Sequence, residues 1–278
     1  MARAPRAEDR AAAAPLTAVA TMHPTLRRAA LEGLPLAGTW LSLGHADVAE
    51  IASLAGFDWL LIDHEHGACD WRDLQHQLQA IAAGGSAAAV VRLPAIDAVA
   101  FKRALDLGAH GLMVPDVHDA VSAQRIVEFA RVPPLGRRGA ATSTRNTAYG
   151  GGYAQYVATI NERLLLMAQI ESVEGLAQAG AIAAVDGIDV LFVGPTDLGI
   201  ALGTGAGDPS DPAFRDALAR VAQAARSHGK AAGVLARDAA QARSYRELGY
   251  TVIAMGSDRG LLAQGMRQNA QTLARLTP

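Results

Sequence analysis

The run LLIDHEHG, Leu60 to Gly67, takes an apolar stretch into four titratable side chains in a row: Asp63, His64, Glu65 and His66. Such groups are expensive to bury unpaired, so either a solvated turn or a reactive mouth must hold them. Farther along, VVRLP carries Arg92, AQIES carries Gln169 and Glu171, and VGPTDL carries Thr196 and Asp197. Glu171 and Asp197 are hard oxygen donors, and Glu65 is a third acid of the same kind. An Mg2+ or Mn2+ ion takes one or two carboxylates and fills its shell with water and substrate oxygens. The same acids could pair with arginines instead, and their spacing does not decide. His66 belongs to the residue type that titrates near neutrality and moves protons. A histidine near a strand end is also an ordinary structural hydrogen-bonding group, and the sequence does not choose between His64 and His66.

What must position these residues is a repeating pattern. From Leu36 onward the chain alternates short apolar runs with amphipathic stretches. The runs are LAGTWLSLG, FDWLLIDHEHG, AAAVVRLP, HGLMVPDV, LLLMAQIES, IDVLFVGPTD, KAAGVLAR and YTVIAMGSD. Strands this apolar are covered on both faces, hence parallel. Gly56, Gly108, Gly229 and Gly249 follow helical segments, where a left-handed C-cap places glycine. Eight such units predict an α/β fold, a (β/α)8 TIM barrel in a single domain, whose strand C-terminal ends meet at one mouth. A doubly wound open sheet is disfavoured because no G-x-G-x-x-G follows the first strand. Sorted by that rule, Asp63 to His66, Arg92, Gln169, Glu171 and Asp197 all reach the mouth, Asp197 from a loop after the sixth strand.

Composition narrows the chemistry. The 278 residues carry a formal net charge of −2 and no basic block, which argues against nucleic acid. No apolar run approaches the roughly 20 residues that span a bilayer. Cys69 is the one cysteine, so no intrachain disulfide or Cys-rich zinc site is expected, and a reducing cytoplasm suits the chain. Residues 1–21 are Ala- and Arg-rich without a continuous apolar core, which predicts a disordered tail rather than a signal peptide, with the barrel domain over 22–278. The segment Val132 to Arg163 is too long for an ordinary connection and reads as a functional loop with a short helix, offering Arg137, Arg138 and Arg145 to an acidic substrate. Lysine occurs only at Lys102 and Lys230, neither at the mouth. A Schiff-base aldolase needs a lysine there, so carbon–carbon chemistry at this site would need a metal as electron sink.

GTWLSLG, LLIDHEHG, VVRLP, AQIES and VGPTDL, in this order, resemble the HpcH/HpaI aldolases, metal-dependent class II enzymes specific for pyruvate. The likeness runs from about Met22 to the final helix. It implies reversible cleavage of a 4-hydroxy-2-oxo acid, of the 4-hydroxy-2-oxoheptane-1,7-dioate or 2-keto-3-deoxy sugar-acid type, to pyruvate and an aldehyde, as in aromatic catabolism. By resemblance, Glu171 and Asp197 bind a divalent metal (Mg2+, Mn2+ or Co2+) with Gln169 beside it, and Arg92 contacts the keto oxygen. His66 is the base or proton relay, Asp106 of a neighbouring subunit pairs with it, and Asp63 supports the site. The backbone N–H groups of Thr196 and Asp197 receive the pyruvate carboxylate. The resemblance also implies a homo-oligomer, a hexamer built as a trimer of dimers, with the C-terminal helix exchanged between subunits; the Leu261, Leu262 and Met266 stripe is its only support in the residues. His64 and Arg137 depart from the family pattern, so the aldehyde acceptor does not carry over.

Other readings share parts of this site. GSDRG places Gly256 and Ser257 at a helix N-terminus, where a phosphate-binding barrel isomerase would hold its anion. A malyl-CoA or citryl-CoA lyase shares the metal logic. A non-catalytic carboxylic acid binder would keep the metal but show no proton exchange.

Overall fold

All eight apolar runs are strands: β1 (Leu36–Leu41), β2 (Trp59–Asp63), β3 (Ala88–Arg92), β4 (Gly111–Val114), β5 (Leu165–Ile170), β6 (Val190–Val193), β7 (Ala231–Ala236) and β8 (Val252–Ser257). They pair in sequence order, all parallel, and β8 closes on β1. The computed structural model describes residues 26–276; the expected tail over 1–21 lies outside them.

Helices alternate with the strands: α2 (Ala46–Leu54), α3 (Trp71–Gly84), α4 (Ala98–Asp106), α5 (Ala120–Ala130), α10 (Pro212–Ser227), α11 (Ala239–Glu247) and α12 (Asp258–Ala274). Their starts follow from side chains that accept otherwise unsatisfied N–H groups. Asp70 caps α3 in a reciprocal capping box with Asp73, and Asp97, Asp211, Asp238 and Ser257 cap α4, α10, α11 and α12. Gly56, Gly108, Gly229 and Gly249 all have positive φ, as their post-helix positions require. The barrel is therefore the expected (β/α)8 architecture.

The packing has two layers. Inside the barrel, Trp40, Trp59, Met113, Met167 and Phe192 join Leu61, Val90 and Val252 in one buried cluster. Between barrel and helices, Leu60, Ile62, Val91, Leu112 and Leu166 form the other. The alternation along β2 (Leu60 out, Leu61 in, Ile62 out) is the period-two rule for a strand covered on both faces. Three aromatic rings fill the interior at tilted or edge-on contacts: Trp40 to Phe192 at 5.7 Å, Trp59 to Phe192 at 6.2 Å and Trp40 to Trp59 at 6.4 Å between centroids. Glycine makes room for them. A Cβ on Gly38 would stand 2.3 Å from the Trp59 ring and one on Gly233 2.4 Å from Phe192.

The end of the barrel where the strands begin is closed by a helix that the strand–helix rhythm did not announce, α1 (Leu26–Leu31). Leu26 and Ala30 join the interior cluster, and Arg27 Nε reaches Asp189 Oδ1 at 2.9 Å. Asp189 is 1% exposed and also takes Leu166 N–H at 2.9 Å and faces Arg131 Nη2 at 3.4 Å. A buried carboxylate needs this many partners. That end is structural, and the opposite end is free for chemistry.

Segment 132–163 holds a 3-10 turn (Arg145–Gly150) and α6 (Tyr153–Arg163). The expectation that its three arginines face substrate is corrected, because the chain itself engages each of them. Arg145 donates to the carbonyls of Leu107 at 2.9 Å and Leu78 at 3.3 Å. Arg138 is buried and donates to Ala130 O and Tyr156 Oη, and Arg137 pairs with Glu128. Between β5 and β6 the chain forms two short helices, α7 (Val173–Ala177) and α8 (Ala179–Ala183).

Candidate active site

The register brings the predicted residues together. Asp63 and Arg92 are direct neighbours at the ends of β2 and β3. Arg92 donates from Nε to Asp63 Oδ1 at 2.9 Å and from Nη2 to Asp63 Oδ2 at 2.6 Å, a bidentate pair of the strong planar kind. Its Nη1 lies 2.9 Å from Glu65 Oε2 as an ion pair, and its guanidinium stands 5.6 Å from the Trp40 ring centroid. Asp63 Oδ1 also accepts the backbone N–H groups of Glu65 at 3.1 Å and His66 at 3.2 Å. Burial pushes the Asp63 carboxyl up, but the bonds and charge of Arg92 with these two N–H groups bring it below its ordinary range.

The opening residues LLIDHEHG therefore divide into a strand and a tight turn. β2 ends at Asp63, so the pleat no longer keeps His64 and His66 on one side. His66 lines the mouth. His64 turns away and stacks on Trp71, 4.8 Å between centroids, where burial lowers its pKa against the pull of Asp63, Asp70 and Asp73. Gly67 closes the turn: a Cβ there would stand 1.9 Å from the Asp63 carbonyl oxygen.

On the other side of the mouth, β5 delivers Gln169 and, one residue past its end, Glu171. Gln169 Nε2 donates to Glu171 Oε2 through a short contact, and the N–H of Asp116, which holds φ 61, donates to Glu171 Oε1 at 2.7 Å. Gln169 Oε1 is buried without a partner. Asp197 is not in a loop. It sits in the first turn of a helix missed in the sequence, α9 (Pro195–Ala201), whose N-cap Gly194 provides no side-chain cap. Desolvation raises the Glu171 carboxyl, opposed by the Asp116 N–H and reinforced by the charges of Glu65 and Asp197. Glu65 is raised by burial too, against Arg92 and His66 and with Asp63 and Asp197.

The mouth encloses a cavity of about 300 Å3 lined by His66, Arg92, Gln169, Thr196 and Asp197, with Trp40, Phe192 and Leu235 as apolar walls. The walls were not singled out from sequence, although Trp40 stands in GTWLSLG. A larger groove, about 890 Å3, runs along α5 and α8 around the Glu128–Arg137 pair; it lies on the outer helices, away from the strand ends, so size does not pick the site.

The donor set fits a divalent cation. Glu65, Glu171 and Asp197 interact as like charges, and Arg92 is already shared by Asp63 and Glu65. An unpartnered Gln169 oxygen lies beside them. Among the described residues no group of three or more His, Cys, Asp or Glu side chains forms a ready-made metal cage. A hard cation that keeps several waters needs only one or two carboxylates from the protein.

Asp106 is not brought to this mouth by its own chain. It ends α4, which runs back toward the end of the barrel where the strands begin, and there accepts from Asn146 Nδ2 at 3.4 Å. The anion seat expected at GSDRG is filled from within. Ser257 Oγ takes Gly260 N–H at 3.1 Å. The Asp258 carboxylate takes the N–H groups of Arg259 at 2.6 Å, Ser42 at 2.9 Å and Leu43 at 3.0 Å. Cys69 is half-buried, its thiol 3.4 Å from Asp63 O.

A closed parallel barrel whose mouth gathers carboxylates around one arginine is a setting suited to carbon–carbon lyase chemistry. Comparison with known proteins agrees at the level of family. The model for HpcH/HpaI aldolase/citrate lyase matches residues 36–265, and the chain belongs to that family. It is 41% identical over 233 residues to a hydroxypyruvate/pyruvate aldolase of Pseudomonas aeruginosa, covering 84% of this chain and 86% of that one. It is 41% identical over 244 residues to a 4-hydroxy-2-oxovalerate aldolase of Novosphingobium aromaticivorans, covering 87% and 91%. The crystal structure of a HpcH/HpaI aldolase/citrate lyase family protein from Burkholderia cenocepacia J2315 superposes with a TM-score of 0.85 at 40% identity, covering 90% of this chain and 99% of that one. The chain is an enzyme, a carbon–carbon lyase.

Proposed function

We propose that the enzyme is a divalent-metal-dependent aldolase that reversibly cleaves a 4-hydroxy-2-oxo acid to pyruvate and an aldehyde. The observation that carries this reading is the meeting of Glu171, Asp197 and Arg92 at one mouth, with no lysine among the residues lining it. Glu171 and Asp197 would hold the cation, Mg2+, Mn2+ or Co2+, which supplies Lewis-acid polarisation of the 2-oxo acid.

The protein's own groups do the rest. The N–H groups of Thr196 and Asp197, in the uncapped first turn of α9, receive the carboxylate of the 2-oxo acid. Arg92 points its remaining N–H groups at the keto oxygen and stabilises the negative charge that grows there as the carbon–carbon bond breaks. Asp63 and Glu65 grip Arg92 so that no reorientation is needed at that moment. His66 takes the proton of the 4-hydroxyl in cleavage and returns it in the aldol direction. Gln169 orients the Glu171 carboxylate. Asp106 would reach a His66 from a neighbouring subunit, a role that suits its distance from the mouth of its own chain. We assign the enzyme to a homo-oligomer, a hexamer, through α12. Its Leu261, Leu262, Met266 and Leu273 are exposed by half or more, and among its residues only Asp258 is buried. No described helix is long and apolar enough to cross a membrane, and we place the enzyme in the cytoplasm.

The test is cleavage of a synthetic 4-hydroxy-2-oxo acid, with pyruvate release followed by a coupled dehydrogenase. EDTA should stop release and Mg2+ or Mn2+ should restore it. Pyruvate release that survives exhaustive chelation contradicts the proposal. A panel of succinic semialdehyde, glycolaldehyde, lactaldehyde and glyceraldehyde in the reverse direction then ranks the acceptors.

A further inference from the structure

We propose a second, anion-binding site on the outer layer of the barrel, between α4, the end of α5 and the first residues of segment 132–163. A cavity of about 360 Å3 there is lined by Ala98 and Lys102 of α4, Phe129 of α5, and Arg137, Arg138 and Gly139. Half of these residues are cationic and none is acidic.

Arg138 makes the cavity more than a surface cluster. It is 3% exposed, and its Nε and Nη2 are spoken for by Ala130 O at 2.8 Å and Tyr156 Oη at 3.0 Å. Its Nη1 is buried and has no partner. Buried polar atoms without a partner are rare, and the penalty is larger for a charged donor. Asp106 lies one turn beyond Lys102 on α4. It feels the charges of both Arg138 and Lys102, yet among the described residues no ion pair joins it to either. Arg137 is neutralised by Glu128, so the unanswered charge in this cavity sits on Arg138 and Lys102.

A small oxyanion answers both. One oxygen of a carboxylate or phosphate accepts from Arg138 Nη1, and another faces the exposed Lys102 ammonium at the rim. Ala98 and Phe129 give an apolar side wall, so a short organic acid fits as well as inorganic phosphate. Nothing in the site touches Glu171, Asp197 or Arg92, and the inference stands whatever reaction the mouth performs.

The test is titration of the full-length enzyme with inorganic phosphate, with acetate and with chloride at constant ionic strength. It is read by calorimetry and thermal shift and repeated with Lys102→Glu, a change at an exposed position. Saturable binding of phosphate or acetate but not chloride is expected, weakened about tenfold or more by Lys102→Glu. Whichever of the two anions binds tighter identifies the ligand class. Equal responses to all three salts, undiminished binding by Lys102→Glu, or a crystal structure in phosphate with only a water on Arg138 Nη1 overturns the site.

Discussion

Gly194 lies against Glu171 so closely that a single added carbon would collide with the carboxylate: a Cβ on Gly194 would stand 2.7 Å from Glu171 Oε2 and 2.9 Å from Gln169 Nε2. The register of β5 and β6, which pairs Ile170 with Val193, sets this contact. Gly194 has an ordinary negative φ as the N-cap of α9, so glycine is required there for space rather than for backbone freedom. Gly194→Ala should fold, because its backbone suits alanine, yet push Glu171 aside. Displacement of that order costs about 10²-fold in turnover, with a matching loss of Mn2+ affinity. Wild-type turnover in this variant would separate Glu171 from the chemistry.

Arg92→Lys should retain the positive charge and lose function. An ammonium cannot hold Asp63 through two parallel bonds while offering further N–H groups to substrate. Steady-state kinetics should show kcat reduced by about 10² or more, and near-normal kcat would remove Arg92 from the reacting oxygen.

The Asp63–Arg92 pair also makes a statement about acid stability. The folded Asp63 carboxyl lies below its ordinary value of 3.8. Its contribution is thus fully present above about pH 4 and is lost as pH falls through the lower folded value. Asp63→Asn should flatten that acid limb in urea titrations run across pH. It should also lower stability at pH 7 by about 3 kcal/mol, near the low end for an unpaired buried charge because Glu65 still faces Arg92. An unchanged acid limb would place the linkage elsewhere.

Cys69 should be slow toward alkylating reagents. Burial pushes its thiol up to about 11, leaving roughly one thiolate in a thousand at pH 8, and the thiolate is the reactive form. Iodoacetamide should label the native enzyme far more slowly than the urea-unfolded one, and Cys69→Ser should keep full activity. Rapid labelling of the folded enzyme at pH 8 would contradict the burial.

Asp258 fills with its own carboxylate the N–H groups that a phosphate would use after β8. Glyceraldehyde should therefore outperform glyceraldehyde 3-phosphate as acceptor by at least about tenfold in kcat/KM, since a built-in negative group disfavours the phosphorylated competitor. Equal rates would show that the distal end of the acceptor never meets this seat.

The fold was legible because its physics is local. Continuous apolar runs such as VVRLP and LLLMAQIES name their strands, and Gly56, Gly108, Gly229 and Gly249 mark helix ends. The mouth was legible by topology alone, since the end of every parallel strand points there. What escaped depends on partners distant in sequence. Arg138 and Arg145 look like surface cations until the carbonyls of Ala130 and Leu107 are seen beside them. α9 was hidden because Pro195 and Gly199 read as loop, although Pro suits the first turn of a helix. The divergence of His64 from His66 follows from the turn that Gly67 closes, which no periodicity announces.

The central claim is that Glu171, with Asp197, holds the cation on which the reaction depends. It is tested most directly by incubating pyruvate with enzyme and Mn2+ in D2O and following the methyl proton signal, alongside Mn2+ binding measured by electron paramagnetic resonance. The wild type should bind Mn2+ and exchange the methyl protons, EDTA should abolish the exchange, and Glu171→Ala should lose both while remaining folded. A folded Glu171→Ala that binds Mn2+ and exchanges protons like the wild type would contradict the account.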